Sequence, residues 1–163
     1  MSDGNVEILT SIQGMQLKEA FCQCETIEGE WPETYGFAYA ACCYLLFFDM
    51  EPLKLYSIDM GSDYAIFAEV PNLDEMESIY ENLSDYMYVK TIYKGAPNLV
   101  TSVLLEELDG QILSVNIKLE NGQELHVVSG EYLGTLSENE IRTPDEMLLI
   151  FDSREKAVVK GLT

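Results

Sequence analysis

The chain has 163 residues, 29 of them Asp or Glu and only 9 Lys or Arg, so its formal net charge is −20 at pH 7. Hydrophobic residues make up 47% and charged residues 23%, which excludes a charge-rich, intrinsically disordered chain. A field this negative repels phosphate and anionic lipid. Direct binding to nucleic acid or to a membrane is therefore not expected, and a basic protein is the natural partner.

The length fits a single compact domain over residues 1–163. The N-terminal segment contains Asp3 and Glu7 and lacks the basic region and apolar core of a secretory signal, so a cytoplasmic location is predicted. The longest apolar run, residues 37–48, is shorter than the ~20 residues that a membrane-spanning helix needs.

Two segments have helical spacing of apolar residues. In residues 14–25, Met15, Leu17 and Phe21 follow this spacing loosely. Residues 71–83 fit better, because Asn72 is a favourable N-cap and Glu75 stands at the third helical position, close to a capping box. The predicted buried stripe of this helix is Leu73, Met76, Ile79, Tyr80 and Leu83, and its opposite face is anionic.

The second half of the chain predicts a β-meander. Residues 99–107, 112–120 and 124–129 are three β-rich runs, connected through Asp109-Gly110 and Asn121-Gly122, dipeptides that favour tight hairpin turns. Residues 143–146 predict a turn or a helix start, residues 147–151 predict a strand, and residues 152–163 form a tail without a clear pattern.

The first half resembles a weaker copy of the second. Leu45 aligns with Leu104 and Ile58 with Ile117 at one common offset of 59 residues, since 104 − 45 = 117 − 58. The alternative is a chance similarity between β-meanders. We therefore expect a β-rich α+β fold of antiparallel meander sheets, with one or two helices packed on them. The two halves that the repeat would relate are residues 1–87 and 88–163.

Four cysteines occur as Cys22-Gln-Cys24 and as the adjacent pair Cys42-Cys43. Neighbouring residues of a strand point to opposite faces, so Cys42 and Cys43 are poorly placed to hold one zinc ion. We expect buried, reduced thiols that act as small hydrophobic side chains.

Candidate catalytic groups are few. His126 is the only histidine and lies in a predicted strand, where we interpret it as an ordinary strand side chain. The carboxylate clusters around residues 74–77 and 106–109 lack the spacing of a calcium loop and are interpreted as solvated faces. No enzymatic activity, metal or cofactor is expected.

Two acidic, aromatic segments are the candidate partner-binding surfaces, because aromatic side chains supply buried area while carboxylates attract Lys and Arg. The alternative is that the only tryptophan packs on the core beneath a loop, and that the tyrosines are packed as well. The predicted contact residues are Glu25, Glu28, Glu30, Trp31, Glu33, Tyr35, Asp74, Glu77, Glu81, Asp85 and Tyr86.

These features favour a cytoplasmic acidic protein that neutralises a basic partner, most concretely an immunity protein against a nuclease-type bacterial toxin. One alternative is a phage-type anti-defence protein that mimics DNA, and another is a small structural or metal-dependent module. The sequence does not indicate the oligomeric state.

Overall fold

The structure, a computed structural model, describes residues 2–24, 37–59, 64–81, 88–132 and 141–159. The chain is strand-rich with a few short helices, so the predicted β-rich α+β class is confirmed. The elements in chain order are α1 Ser2–Thr10, β1 Gln16–Cys24, β2 Ala38–Phe47, β3 Leu53–Asp59, β4 Tyr64–Glu69, α2 Leu73–Glu81, β5 Tyr88–Leu108, β6 Gln111–Leu119, β7 Glu124–Tyr132, β8 Ile141–Phe151 and α3 Arg154–Val159.

Six strands close into an antiparallel barrel in the order β1-β5-β6-β7-β8-β2, with β2 pairing back onto β1. Strand β2 has two partners along its other edge. Its residues 38–40 pair with β8, and its residues 42–45 pair with β3. The β3–β4 hairpin therefore branches from the barrel at the point where β8 leaves β2.

The main core fills the space between the barrel, the β3–β4 hairpin and α1. Alternate residues of β6, such as Val115 and Ile117, are buried in this core. Leu9, in the last turn of α1, and Ile12, just after the helix, are fully buried in it as well. Asn5 of α1 also protects the outer edge of β4. Its side-chain amide donates to the Ile66 carbonyl and its oxygen accepts from the Ala68 amide, as a neighbouring strand would.

Both predicted hairpins are present. Asp109 and Gly110 connect β5 to β6 with φ angles of 53° and 79°, which Asn, Asp and Gly tolerate best. Gly122, in the turn from β6 to β7, has a φ of 92°. The predicted strand at residues 147–151 is the end of β8.

Two local predictions were wrong. Residues 14–25 do not form a helix, because residues 16–24 are strand β1, which pairs with β2 on one edge and β5 on the other. Residues 143–146 lie inside β8 rather than in a turn. Two helices lie where the sequence has no clear pattern, α1 in the N-terminal segment and α3 in the described part of the tail.

The relation between the two halves stays a prediction. The barrel takes strands from both halves. The aligned positions differ in burial: Leu45 is buried where Leu104 is exposed, and Ile58 is exposed where Ile117 is buried.

All four cysteines are buried, as predicted, and they form no disulfide. Cys43 faces the main core, whereas Cys42 packs with Phe21 and Tyr44 on the other face of β2, so the adjacent pair does point in opposite directions. Among the described residues, no helix is both long and apolar enough to cross a membrane.

Candidate functional site

Helix α2 begins as the sequence predicts. The Asn72 side chain accepts a hydrogen bond from the Glu75 amide at 2.8 Å, which satisfies one of the free amides of the first turn. Asp74 and Glu75 place negative charge at the positive end of the helix dipole. The cap and the dipole thus fix where the helix starts.

The underside of α2 packs on the outer face of the barrel. Met76 contacts a small buried cluster formed by Phe21, Cys42 and Tyr44. The rings of Phe21 and Tyr44 stack with their centroids 5.2 Å apart. This apolar contact holds one face of α2 against β1 and β2.

A polar clasp beside this cluster fixes the rotation of α2. The Tyr44 hydroxyl donates to Glu75 Oε2 at 2.7 Å, and Lys54 Nζ lies 2.9 Å from the same oxygen. The Lys54 ammonium also lies 5.5 Å from the centroid of the Tyr56 ring and 6.0 Å from that of Tyr44. Glu75 therefore turns inward, although the sequence pattern suggested a solvated carboxylate there.

The clasp shifts the ionisation of its members. Burial alone would raise the pKa of Glu75, but hydrogen bonds from Tyr44 and Lys54 outweigh it and lower the pKa below its ordinary value of 4.5. Partial burial acts to lower the pKa of Lys54, and the bond to Glu75 raises it overall. Burial and the same carboxylate raise the pKa of Tyr44. At neutral pH, the clasp is an ion pair with a neutral phenol.

The outward surface at the start of α2 combines apolar and acidic side chains. Leu73 is 78% exposed and Val70 is 49% exposed. Glu69, Asp74 and Glu77 are neighbours of this pair along the chain and are also exposed. We call these five residues the α2 patch. The prediction that Leu73 belongs to the buried stripe was wrong, because the clasp and Met76 turn another side of the helix toward the barrel.

Two carboxylates of the patch, those of Asp74 and Glu77, have no cationic partner among the described residues, whereas Glu69 accepts a hydrogen bond from the Tyr56 hydroxyl. Lys54, the basic residue of neighbouring β3, is already engaged by Glu75. An exposed apolar pair with acidic neighbours is typical of a contact site for a basic protein.

The other predicted contact residues are not placed. Those of the segment 25–35, together with Asp85 and Tyr86, lie outside the described residues, and so does the side chain of Glu81 at the end of α2. Of the eleven predicted residues, the structure therefore describes the side chains of Asp74 and Glu77, which lie three residues apart on α2. Sequence reasoning missed Val70 as a member of the surface and assigned Leu73 to the core.

His126 and Cys42, a possible base and a possible nucleophile, are both buried in the structure. His126 is fully buried in β7, and Asn116 Nδ2 lies 3.1 Å from its Nδ1 atom. Burial raises the pKa of Cys42, whose thiol donates to Gln23 Oε1, so a reactive thiolate is disfavoured. Among the described residues, no group of three or more His, Cys, Asp or Glu could hold a metal ion.

No protein-family model matches the chain, and no curated protein or solved structure matches it either.

Proposed function

We propose that this protein is a cytoplasmic acidic binding protein that neutralises a basic partner through the α2 patch, as an immunity protein does with a nuclease-type bacterial toxin. The observation that carries the proposal is the exposed side chain of Leu73 on a helix that Glu75 fixes to the barrel, beside Asp74 and Glu77 of the same helix, which have no cationic partner in the described part of the chain.

Each part of the patch has a distinct role in binding. Burial of an exposed leucine contributes about 1.5–3 kcal/mol, enough to make Leu73 an anchor. The carboxylates of Asp74 and Glu77 attract a basic surface and pair with its Lys or Arg side chains. A nuclease must present cationic groups to the phosphates of its substrate, so such a surface is complementary to the patch.

The fixed helix makes the anchor effective. Because Glu75 and Met76 hold α2 in place, Leu73 is presented without the cost of ordering a loop on binding. Inhibition then follows if the patch covers the cationic site of the partner or a neighbouring surface.

The test measures binding of the purified protein to a basic protein encoded beside its gene, by calorimetry. Leu73→Ser should weaken the affinity by about 10–100-fold, because it removes the apolar anchor. Phe48→Ser is the matched control. Phe48 is also exposed, at 52%, but it lies outside the α2 patch and a cation stands over its ring, since Lys18 Nζ lies 5.7 Å from the ring centroid.

Unchanged affinity in Leu73→Ser, or an equal loss in Phe48→Ser, would refute the α2 patch as the contact surface. Failure to bind any basic protein encoded nearby would refute the immunity role. Circular dichroism spectra of both variants should match that of the parent protein, which separates loss of binding from loss of folding.

A further inference from the structure

The barrel wall is incomplete beside the first half of β5. Residues 88–99 of this strand pair with β1, and pairing with β6 begins only at Val100. Among the described residues, no strand pairs with the second edge of β5 before that point. The gap arises because β6 ends there: the Glu120 amide donates to the Leu99 carbonyl, and the chain then turns into β7.

A cavity of about 610 Å³ occupies this gap. Its wall comes from the start of β2, the first half of β5, the turn from β6 to β7, the end of β8 and α3. Its volume lies within the ~300–1,000 Å³ that is typical of small-molecule sites, and the mouth of a barrel is a common place for them.

The base of the cavity is apolar. Ala38, Leu125 and Ile150 line it and belong to the main core. Phe37 and Phe151 add an aromatic pair with ring centroids 5.5 Å apart. These side chains supply the surface on which an aromatic or aliphatic group packs.

The charged groups at the rim compensate one another. Lys156 Nζ lies 2.7 Å from Asp152 Oδ1. Glu124 lies 4.0 Å from Lys118 Nζ, and its other oxygen accepts from the Arg154 amide. Among the described residues that line the rim, no charge is therefore left unpaired to select an ionic ligand, although the whole protein is strongly acidic.

Neutral polar groups complete the lining. Thr91 and Gln123 are exposed and both line the cavity, Thr91 from β5 and Gln123 from the turn between β6 and β7. Their hydroxyl and amide groups can each donate and accept a hydrogen bond. A ligand with one polar group could be oriented by either of them.

We infer that this cavity binds a neutral, mainly apolar small molecule, whose body packs on the apolar base and whose single polar group bonds at the rim. The site is separate from the α2 patch and does not depend on the proposed function. The two surfaces share no residue.

The test uses N-phenylnaphthylamine, a neutral aromatic probe whose fluorescence rises in apolar sites, titrated into the full chain. Thr91→Trp should fill part of the cavity and weaken probe binding by about tenfold. Thr101→Trp is the matched control, because Thr101 is also an exposed threonine of β5 but does not line the cavity. Gln123→Trp adds bulk at a lining residue from a different element and is expected to act like Thr91→Trp.

Saturable binding of one probe per chain that both filling variants weaken and Thr101→Trp does not would support the site. Absence of saturable binding to the parent protein would overturn it, and so would equal binding by all variants. Tighter binding of an anionic naphthalene sulfonate or of an alkylammonium ion than of the neutral probe would overturn the assigned ligand class. Thermal unfolding of each variant establishes that it is folded.

Discussion

His126 illustrates how one buried polar residue can make stability depend on pH. Its side chain is fully buried, and its Nε2 atom has no hydrogen-bond partner among the described residues. Burial lowers its pKa below the ordinary value of 6.5. Nearby Glu106 and Glu124 act to raise it, and Arg154 acts to lower it further. The folded protein therefore keeps this ring neutral under conditions in which the unfolded chain would protonate it.

The sign of the pH effect follows from this difference. The stability that depends on a neutral His126 is complete above pH 6.5 and is lost as the pH falls from there through the lowered pKa. The free energy of unfolding should thus decrease as the pH falls below about 6.5, by at most ~1.4 kcal/mol per pH unit. Because His126 is the only histidine, His126→Gln should flatten this decrease, as measured by urea unfolding. An equal pH dependence in the variant would show that other groups cause it.

At the scale of an element, the clasp of Tyr44, Lys54 and Glu75 is expected to fix α2. Glu75→Gln removes the charged acceptor and should lower the free energy of unfolding at pH 7 by about 1–2 kcal/mol. The pKa of Glu75 is lowered in the folded state, so this stabilisation is present above the ordinary value of 4.5 and is lost as the pH falls through the folded pKa. The difference between parent and variant should therefore shrink in acid, as measured by chemical unfolding at several pH values.

Glu77→Gln is the control for the clasp, because Glu77 lies on the same helix but is exposed. It should change the free energy of unfolding by less than about 0.5 kcal/mol, as surface substitutions usually do. If Glu75→Gln were as mild as Glu77→Gln, apolar packing of Met76 alone would hold the helix.

Elements with a local sequence signal were predictable, and elements defined by distant pairing were not. The Asn72 cap and the Asp109-Gly110 turn depend on a few neighbouring residues, and both are present in the structure. The spacing of Met15, Leu17 and Phe21 fits a helix loosely, but pairing with two distant strands makes the segment β1. The exposure of Leu73 likewise depends on the clasp, whose members come from β2, β3 and α2.

At the scale of the whole molecule, the uncompensated charge is concentrated in the first half of the chain. Residues 1–89 contain 17 acidic and 2 basic residues, whereas residues 90–163 contain 12 and 7. In the second half, Lys118, Arg154 and Lys156 form ion pairs with acids of that same half. The first half has only Lys18 and Lys54, and on α2 the exposed carboxylates of Asp74 and Glu77 have no cationic partner among the described residues.

This distribution predicts that charge and the apolar anchor act on different rate constants. Between ~0.01 M and ~1 M ionic strength, the Debye length shrinks from about 30 Å to about 3 Å, and the association rate with a basic partner should fall by about tenfold or more. Leu73→Ser should instead mainly raise the dissociation rate, because Leu73 is uncharged and contributes only after contact. Surface plasmon resonance across this salt range measures both rates. A dissociation rate unchanged by Leu73→Ser would contradict the anchor, and an association rate insensitive to salt would contradict steering. Equally tight binding to many unrelated nucleic-acid-binding proteins would indicate instead that the carboxylates act as a mimic of DNA.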